Sequence, residues 1–254
     1  ERTLKMDQLF LENMTWPEVK TALGRGYSTV VVPVGAVEQH GPHLPLCVDA
    51  ERGVRLGLEV AQRLGNALVA PTIRIGCSEH HMDFPGTISI RVSTLISLCT
   101  DYCISLSHHG FTRIYLVPSH GGNFAPLNNM LDQLQETVGP GCTVKAYTDL
   151  LGFLAVWKNV LRDFGMAERV GGHADVAEGS EMLAIRPDLV KIGLAEKGYL
   201  GDTSEEILDL IFREGLKSVT DNGILGDARG LTPEIGEKCL AEGAEAIASF
   251  FSEE

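Results

Sequence analysis

The sequence lacks the features that mark several common classes of protein. No apolar run approaches the roughly 20 residues that a helix needs to cross a bilayer, and the first five residues lack the apolar core of a signal peptide. The six cysteines are scattered and form no CxxC pair, so we expect reduced thiols in or near the core rather than a disulfide framework. These absences predict a cytoplasmic protein that does not associate with membranes.

Positive charge is also scarce. The 21 Lys and Arg residues are outnumbered by 34 Asp and Glu residues, which gives a formal net charge of −13. Such a surface repels phosphate backbones and anionic lipids, which argues against nucleic acid or a membrane surface as a partner. No GxGxxG motif follows the first predicted strand and no Walker lysine is found, which argues against a phosphate-binding loop.

The apolar content, in contrast, is large, and it is not divided by repeats or low-complexity linkers. Apolar side chains make up 44% of the 254 residues, enough for one substantial core. We therefore expect a single domain over residues 1–254.

Strand-like and helix-like segments alternate along the chain. Four apolar runs rich in β-branched residues predict strands at 29–34, 68–75, 114–118 and 143–147. Segments with helical spacing of apolar residues lie at 50–64, 93–108, around 127–134, 176–185 and 234–251. This order predicts an α/β fold in which a mainly parallel sheet is covered by helices on both faces, a three-layer α/β/α arrangement. Residues 198–233 are rich in Gly and Asp, and we expect them to form a surface excursion or an oligomer contact.

Polar side chains follow each of the first three predicted strands. The carboxyl ends of parallel strands collect at one edge of a sheet, which is where open α/β folds bind ligands. The groups that follow the strands in order are Glu38, His40, His43 and Asp49; Ser78, Glu79, His80, His81 and Asp83; and Ser119, His120 and Asn123. A further histidine, His173, is expected in a glycine-rich loop at 171–175, five residues before Glu178.

This set of side chains is suited to binding a transition metal. Glu38 and His40 are two residues apart, so on an extended segment both point to the same side. Imidazole with carboxylate suits Zn²⁺, Mn²⁺ or Fe²⁺, and a carboxylate such as Asp49 can bridge two ions. Gly35, Gly41, Gly121 and Gly122 allow the main chain to come close to a ligand.

Structural interpretations compete with this one for several residues. The pair Glu38 and His40 alone is a weak signal, and His43 is more simply a structural residue. His80 and His81 fit a pocket wall and a solvated loop equally well. Phe153, Leu154 and Trp157 are most simply part of the core or of a hydrophobic lid. The hypothesis of a metal site therefore depends on the combination of residues after three successive strands.

Several stretches resemble the creatininase family of metal-dependent amidohydrolases. They are "PVGAVEQHGPHLPLCVD", "FPGTISI", "PSHGGN" and "HADVAEGSEMLAIRPDLV", with "GILGDARGLTPEIGEK" nearer the end. The resemblance implies an α/β domain with a mainly parallel sheet and two divalent metal ions per chain, Zn²⁺ or Mn²⁺, with Fe²⁺ as a further candidate. It also implies a homo-oligomer, expected to be a hexamer.

The resemblance assigns roles to individual residues. Asp49 is expected to bridge the two ions, with Glu38 and His120 completing one site and His40 and Glu178 the other. His173 matches the catalytic histidine of the family and is expected to transfer a proton. The residues expected to bind substrate are Ser78, His80, Gly121, Gly122 and Asn123.

The expected reaction is hydrolysis of a C–N bond in a small amide, cyclic amide or formamide by a hydroxide bridging the two ions. Members that hydrolyse creatinine carry a Glu where this chain has Gly122, and tryptophans where it has Thr148 and Arg169. These departures argue against creatinine as the substrate. The residues alone leave open a non-catalytic module that binds a nucleotide or sugar, and a ring hydrolase that cuts a non-amide bond.

Overall fold

A four-stranded parallel sheet lies at the centre of the computed structural model, which describes residues 8–201 and 204–253. The strands are β1 Thr29–Val34, β2 Ala67–Val69, β3 Arg113–Pro118 and β4 Thr143–Ala146, in the spatial order β2-β1-β3-β4. Val31 of β1 pairs with Val69 on one side and Tyr115 on the other. All six residues of β1 are buried, because neighbouring strands and both helical layers cover it.

Helices cover both faces of this sheet. In the described ranges they are α1 Trp16–Gly24, α2 Val48–Leu64, α3 Val92–His108, α4 Gly121–Val138, α5 Leu150–Asp163, α6 Val176–Ile185, α7 Glu205–Glu214 and α8 Pro233–Ser252. Val31 and Val117 face a core formed with α2, α5, α6 and α8, whereas Val30 and Leu116 face one formed with α1, α3 and α4. This arrangement confirms the predicted α/β fold with a mainly parallel sheet.

The second strand is shorter than the pattern predicted. It ends at Val69, and beyond it the N–H of Ala70 donates to Val31 and an isolated bridge joins Ile73 to Val34. Pro71 lies between these positions and has no N–H to donate to a ladder. The ladder thus ends two residues before the proline, on an edge strand, where a residue without an N–H is tolerated.

Two expectations for the second half of the chain need correction. His173 does not lie in a loop, because it ends a short strand, β5 Val170–His173, which pairs antiparallel with β6 Leu225–Gly226. Residues 198–233 are more than a surface excursion, since they contribute β6 and α7, and α7 packs beside the edge of the sheet where β1 and β3 end. The alternative expectation for this segment, an oligomer contact, stays a prediction. Within the described ranges, no helix is long and apolar enough to cross a membrane.

Candidate metal centre

The carboxyl edge of the sheet brings together six of the residues singled out in the sequence. Glu38 and His40 follow β1, Asp49 lies in the first turn of α2, and His120 precedes α4. His173 ends β5, and Glu178 lies in the first turn of α6. All six are buried, with His173 the most exposed at 9%.

Asp49 lies between two histidines that come from different parts of the chain. Its Oδ1 atom is 3.6 Å from His40 Nε2, and its Oδ2 atom is 3.5 Å from His120 Nδ1. One carboxylate thus faces an imidazole with each oxygen. This is the arrangement that a carboxylate shared by two cations requires.

Each of these histidines also faces a glutamate. His120 Nδ1 lies 3.1 Å from Glu38 Oε1, and His40 Nε2 lies 3.5 Å from Glu178 Oε2. The residues therefore form two sets, and each set has one imidazole, one glutamate and one oxygen of Asp49.

Backbone carbonyl groups orient both imidazoles. His40 Nδ1 lies 3.1 Å from the carbonyl oxygen of Glu38, and His120 Nε2 lies 3.1 Å from that of Cys77. A carbonyl oxygen only accepts, so these nitrogens carry the proton and donate. The opposite nitrogen of each ring faces the carboxylates, where it can bind either a proton or a metal ion, as in metal sites where a second partner orients the ligand.

Several polar atoms at the centre of the site have no hydrogen-bond partner in the part of the chain that the structure describes. They are Glu38 Oε1, Glu38 Oε2, His40 Nε2 and Asp49 Oδ2. Burying carboxylate oxygens without partners is costly unless a cation balances them. One donor atom each from Glu38, His40 and Asp49 lies within 4.8 Å of the others, so these residues could hold a metal ion. The donor set fits divalent zinc or manganese.

Charges in the site shift the pKa of each ring strongly. Burial opposes a charge on His120, yet Glu38 and Asp49 raise its pKa to about 9. Burial likewise opposes a charge on His40, but Glu178 and Asp49 hold its pKa well above the usual value. Burial raises the pKa of Asp49. The carboxylates thus create a site that attracts positive charge, whether protons or metal cations supply it.

His173 lies slightly farther from the carboxylates than the other two rings. Its Nδ1 atom is 3.9 Å from both Glu38 Oε1 and Glu178 Oε2. Burial, with the charge of His40, lowers the pKa of His173 to about 4. The ring is therefore neutral at pH 7, with Nδ1 facing the centre. Each of the groups Glu38–His81–His173 and His40–His173–Glu178 also offers three donor atoms within 4.8 Å.

His173 does not cap helix α6. That role belongs to Asp175, whose Oδ1 accepts hydrogen bonds from the N–H groups of Ala177 at 2.8 Å and Glu178 at 3.2 Å. Between the two lies Ala174, the one non-glycine residue with positive φ, at 53°, in the described ranges. Its N–H donates to Glu178 Oε2 at 2.6 Å, so the turn also orients that glutamate.

Arg52 is a part of the site that sequence reasoning missed. This buried guanidinium lies 2.6 Å from Glu178 Oε1 and 2.5 Å from Glu181 Oε2. Glu181 in turn accepts a hydrogen bond from the indole N–H of Trp157 at 2.8 Å. The only available signal was the position of Arg52 three residues after Asp49, on one face of α2.

Gln39 and His81 also contact the site. His81 Nε2 lies 3.4 Å from Glu38 Oε1, and His81 Nδ1 lies 2.9 Å from the Gln39 side-chain nitrogen. His81 is buried, and His80 lines a cavity above the site, so neither belongs to a solvated loop. Of the two interpretations of this pair, the structure favours the pocket wall.

The residues expected to bind substrate occupy different positions. His80 and Gly121 line the cavity, whereas Ser78, Gly122 and Asn123 are buried and are not part of its lining. The Asn123 amide donates to the carbonyl oxygens of Val34 and Gly35, and it accepts from the N–H of Cys77. A Cβ at Gly122 would lie 2.3 Å from the carbonyl oxygen of Cys77, so close packing requires glycine there.

The cavity has a polar floor and largely apolar walls. Glu38 and the rings of His80, His81, His120 and His173 form the floor. The apolar residues that line it are Leu150 and Leu154 of α5, Leu208, Ile211 and Phe212 of α7, and Leu216 and Leu225. Phe153 and Trp157, in contrast, are buried in the core.

Comparisons with known proteins agree on one family. Residues 12–251 match the family model described as "Creatininase: Creatinine amidohydrolase". A mycofactocin precursor peptide peptidase from Mycolicibacterium smegmatis is 33% identical over 84% of this chain and 80% of that protein. A creatinine amidohydrolase from Pseudomonas putida is 31% identical over 72% of this chain and 74% of that protein. The solved structure "Creatininase Mn" has a TM-score of 0.78 at 27% identity, covering 96% of this chain and 98% of that one.

Proposed function

Because this chain belongs to the creatininase family and is a hydrolase of that family, we propose that it hydrolyses a C–N bond of a small amide, cyclic amide or formamide with two divalent metal ions. The observation that carries this proposal is the position of Asp49, with Oδ1 facing His40 and Oδ2 facing His120. A carboxylate with one oxygen toward each of two imidazoles is placed to be shared by two ions.

Each ion would be held by one of the two sets of side chains. Glu38 and His120 would complete one site and His40 and Glu178 the other, with Asp49 shared. Zinc and manganese suit these ligands, and the structural neighbour described as "Creatininase Mn" supports manganese. When bound, such a pair of ions supplies a water of lowered pKa and a Lewis acid for a carbonyl oxygen.

The chain itself supplies the proton transfer. His173 is neutral at pH 7 because burial and His40 lower its pKa to about 4, and its Nδ1 atom faces the centre. A neutral imidazole in this place can take a proton from the attacking water and pass it to the leaving nitrogen.

Helix α4 supplies donors for the developing negative charge. It begins at Gly121, which lines the cavity. The N–H groups in the first turn of a helix have no carbonyl partner within that helix. We propose that the N–H of Gly121 stabilises the oxyanion of the tetrahedral intermediate.

Creatinine is not the substrate under this proposal. The chain has Gly122, Thr148 and Arg169 where the resemblance places a Glu and two tryptophans in creatinine-hydrolysing members. The relatives are named for a precursor peptide and for creatinine, so linear and cyclic amides both belong in a substrate screen. We further propose that residues 1–254 form a single domain. We also propose that the chain assembles into a homo-oligomer, a hexamer, and sedimentation velocity would test this assembly.

The test combines metal analysis with a substrate panel. Dialysed protein should retain about two Zn or Mn ions per chain by mass spectrometry, and it should release amine or formate from at least one lactam, amide or formamide. Retention of no metal would favour a non-catalytic binding module. Two bound ions with turnover only of a C–C or C–O substrate would favour a ring hydrolase.

A further inference from the structure

The walls of the cavity are apolar, whereas its floor is formed by Glu38 and histidines. Metal-dependent hydrolysis by itself does not require apolar walls. Leu150 and Leu154 are four residues apart on α5, and Leu208 and Phe212 are four apart on α7. Residues with this spacing lie on one face of a helix. Two apolar helix faces therefore border the space above the histidines from two elements distant in sequence.

Phe212 lies at the edge of this space. Its side chain is 53% exposed, and its ring centroid lies 4.7 Å from that of His80. Ile211 and Leu216 beneath it are buried, at 3% and 1% exposed. The ring of Phe212 thus lies between His80 and the buried side chains of Ile211 and Leu216. In this position it can cover an apolar group of a bound molecule.

The charges around the cavity exclude other substituents. Of the described residues, no Lys or Arg lines the cavity that contains Phe212. Arg52 lines an adjoining cavity that shares Leu150 and Leu154, but its guanidinium is already paired with Glu178 and Glu181, so an anionic substituent would gain no free cation. In the part of the chain that the structure describes, Glu38 is the only carboxylate in the lining of the cavity that contains Phe212, and it faces His120. A cationic substituent would therefore lose its hydration against leucine side chains without gaining an ion pair.

We propose that the substrate carries an uncharged aliphatic or aromatic group next to the scissile bond, and that this group binds between Leu150 and Leu154 on one side and Leu208 and Phe212 on the other. This inference rests on the proposed function for the location of the reacting bond. It adds the chemical class of the neighbouring substituent, which the metal ligands leave open.

The test uses binding, so that it does not depend on the reaction. The probes are hydroxamates of increasing chain length, from acetohydroxamate to hexanohydroxamate, with benzohydroxamate and the monohydroxamate of succinate, each titrated calorimetrically into metal-loaded protein. Affinity should rise about three- to fourfold for each buried methylene. The succinate derivative, which ends in a carboxylate, should bind no more tightly than acetohydroxamate.

Variants locate the effect on the two helices. Phe212→Ala and Leu154→Ala should each reduce the gain from acetohydroxamate to hexanohydroxamate by about fivefold or more, with both affinities measured in the same variant. The matched control is Leu151→Ala, since Leu151 is adjacent on α5 but 63% exposed and outside the cavity lining. It should retain the full gain.

The outcomes for the two proposals are separate. Equal affinity along the series, tightest binding of the succinate derivative, or no binding by metal-loaded protein would overturn the assignment of an apolar substituent. Graded binding in a protein that hydrolyses no C–N bond would leave this assignment standing and overturn the proposed function.

Discussion

The side-chain nitrogen of Gln39 lies 2.9 Å from His173 Nε2, an atom that also lies 3.0 Å from the backbone carbonyl oxygen of Gln39. The N–H of Gly41 donates to Gln39 Oε1 at 3.0 Å, which turns the NH₂ group toward the imidazole. One ring nitrogen thus faces both a donor and an acceptor of the same residue. The balance between them determines which nitrogen of His173 carries the proton.

Gln39→Glu should shift the pH dependence of turnover to higher pH. A carboxylate beside His173 favours the protonated ring and raises its pKa. The midpoint of the acidic limb of the kcat profile should therefore move to higher pH by about one unit or more. Gln39→Met is the matched control, because it removes the amide without adding charge and should leave the limb close to its original position. An unmoved limb in Gln39→Glu would show that Gln39 does not act on the titrating group.

His173→Ala should retain both metal ions and the fold. Loss of a positioned acid or base reduces kcat by on the order of 10²- to 10⁴-fold. Metal content, melting temperature and turnover should be measured on one preparation. Because Nδ1 also lies 3.9 Å from two carboxylates, a depleted ion would make His173 a metal ligand, and an unchanged rate would end its catalytic assignment.

Asp49→Asn should lower the occupancy of both metal sites and abolish turnover. A neutral amide oxygen is a weaker ligand than a carboxylate oxygen, and Asp49 has one oxygen facing each of His40 and His120. Glu178→Gln serves as the comparison. Glu178 faces His40 but not His120, so this variant should keep about one ion per chain. Full occupancy with ordinary turnover in Asp49→Asn would rule out a shared carboxylate.

Arg52→Met should destabilise the fold strongly. It leaves Glu178 and Glu181 buried without their cation, and breaking a buried pair from one side costs about 3–5 kcal/mol in the free energy of unfolding. Arg55→Met, three residues further along α2, breaks pairs with Glu59 and Glu237 that are more exposed and should cost no more than about 1 kcal/mol. Urea unfolding of both variants measures the difference, and equal losses would contradict the role given to Arg52.

His43→Leu should make the metal-free protein less sensitive to acid. Burial, with the charge of His40, lowers the pKa of His43 from 6.5 to about 4, and in the described chain neither ring nitrogen has a hydrogen-bond partner. Between these pH values the unfolded chain binds a proton that the folded one does not, so stability falls as pH drops. At pH 5 this one histidine lowers the free energy of unfolding by about 2 kcal/mol. Unfolding at pH 7 and pH 5 in a chelator should show a smaller loss for the variant.

The parts of the fold that sequence could predict are those with a simple hydrophobic pattern. Strand β1 is an unbroken apolar run, and α6 begins and ends as its spacing indicated. Helix α5 was missed because Leu150, Leu151 and Leu154 lie beside Phe153 and Trp157, which obscures the helical period. Its apolar surface is divided between the core and the cavity.

The missed site residues depend on contacts between distant parts of the chain. Arg52 resembles a surface charge on a helix until Glu178, 126 residues later, comes within 2.6 Å. His81 and Gln39 are 42 residues apart in sequence and hydrogen-bond only after β1 and the segment following β2 come together. Spacing along one segment carries no information on such pairs.

The turn at Ala174 also constrains the length of the chain around it. His173 directs its ring to the centre, the N–H of Ala174 binds Glu178, and Asp175 binds the first N–H groups of α6. Successive helical residues are rotated by about 100°, so one residue inserted between Asp175 and Glu178 would turn the glutamate away from His40. The interval between His173 and Glu178 should therefore have a fixed length. Insertions should be tolerated instead at the turn around Gly141, because that turn is exposed.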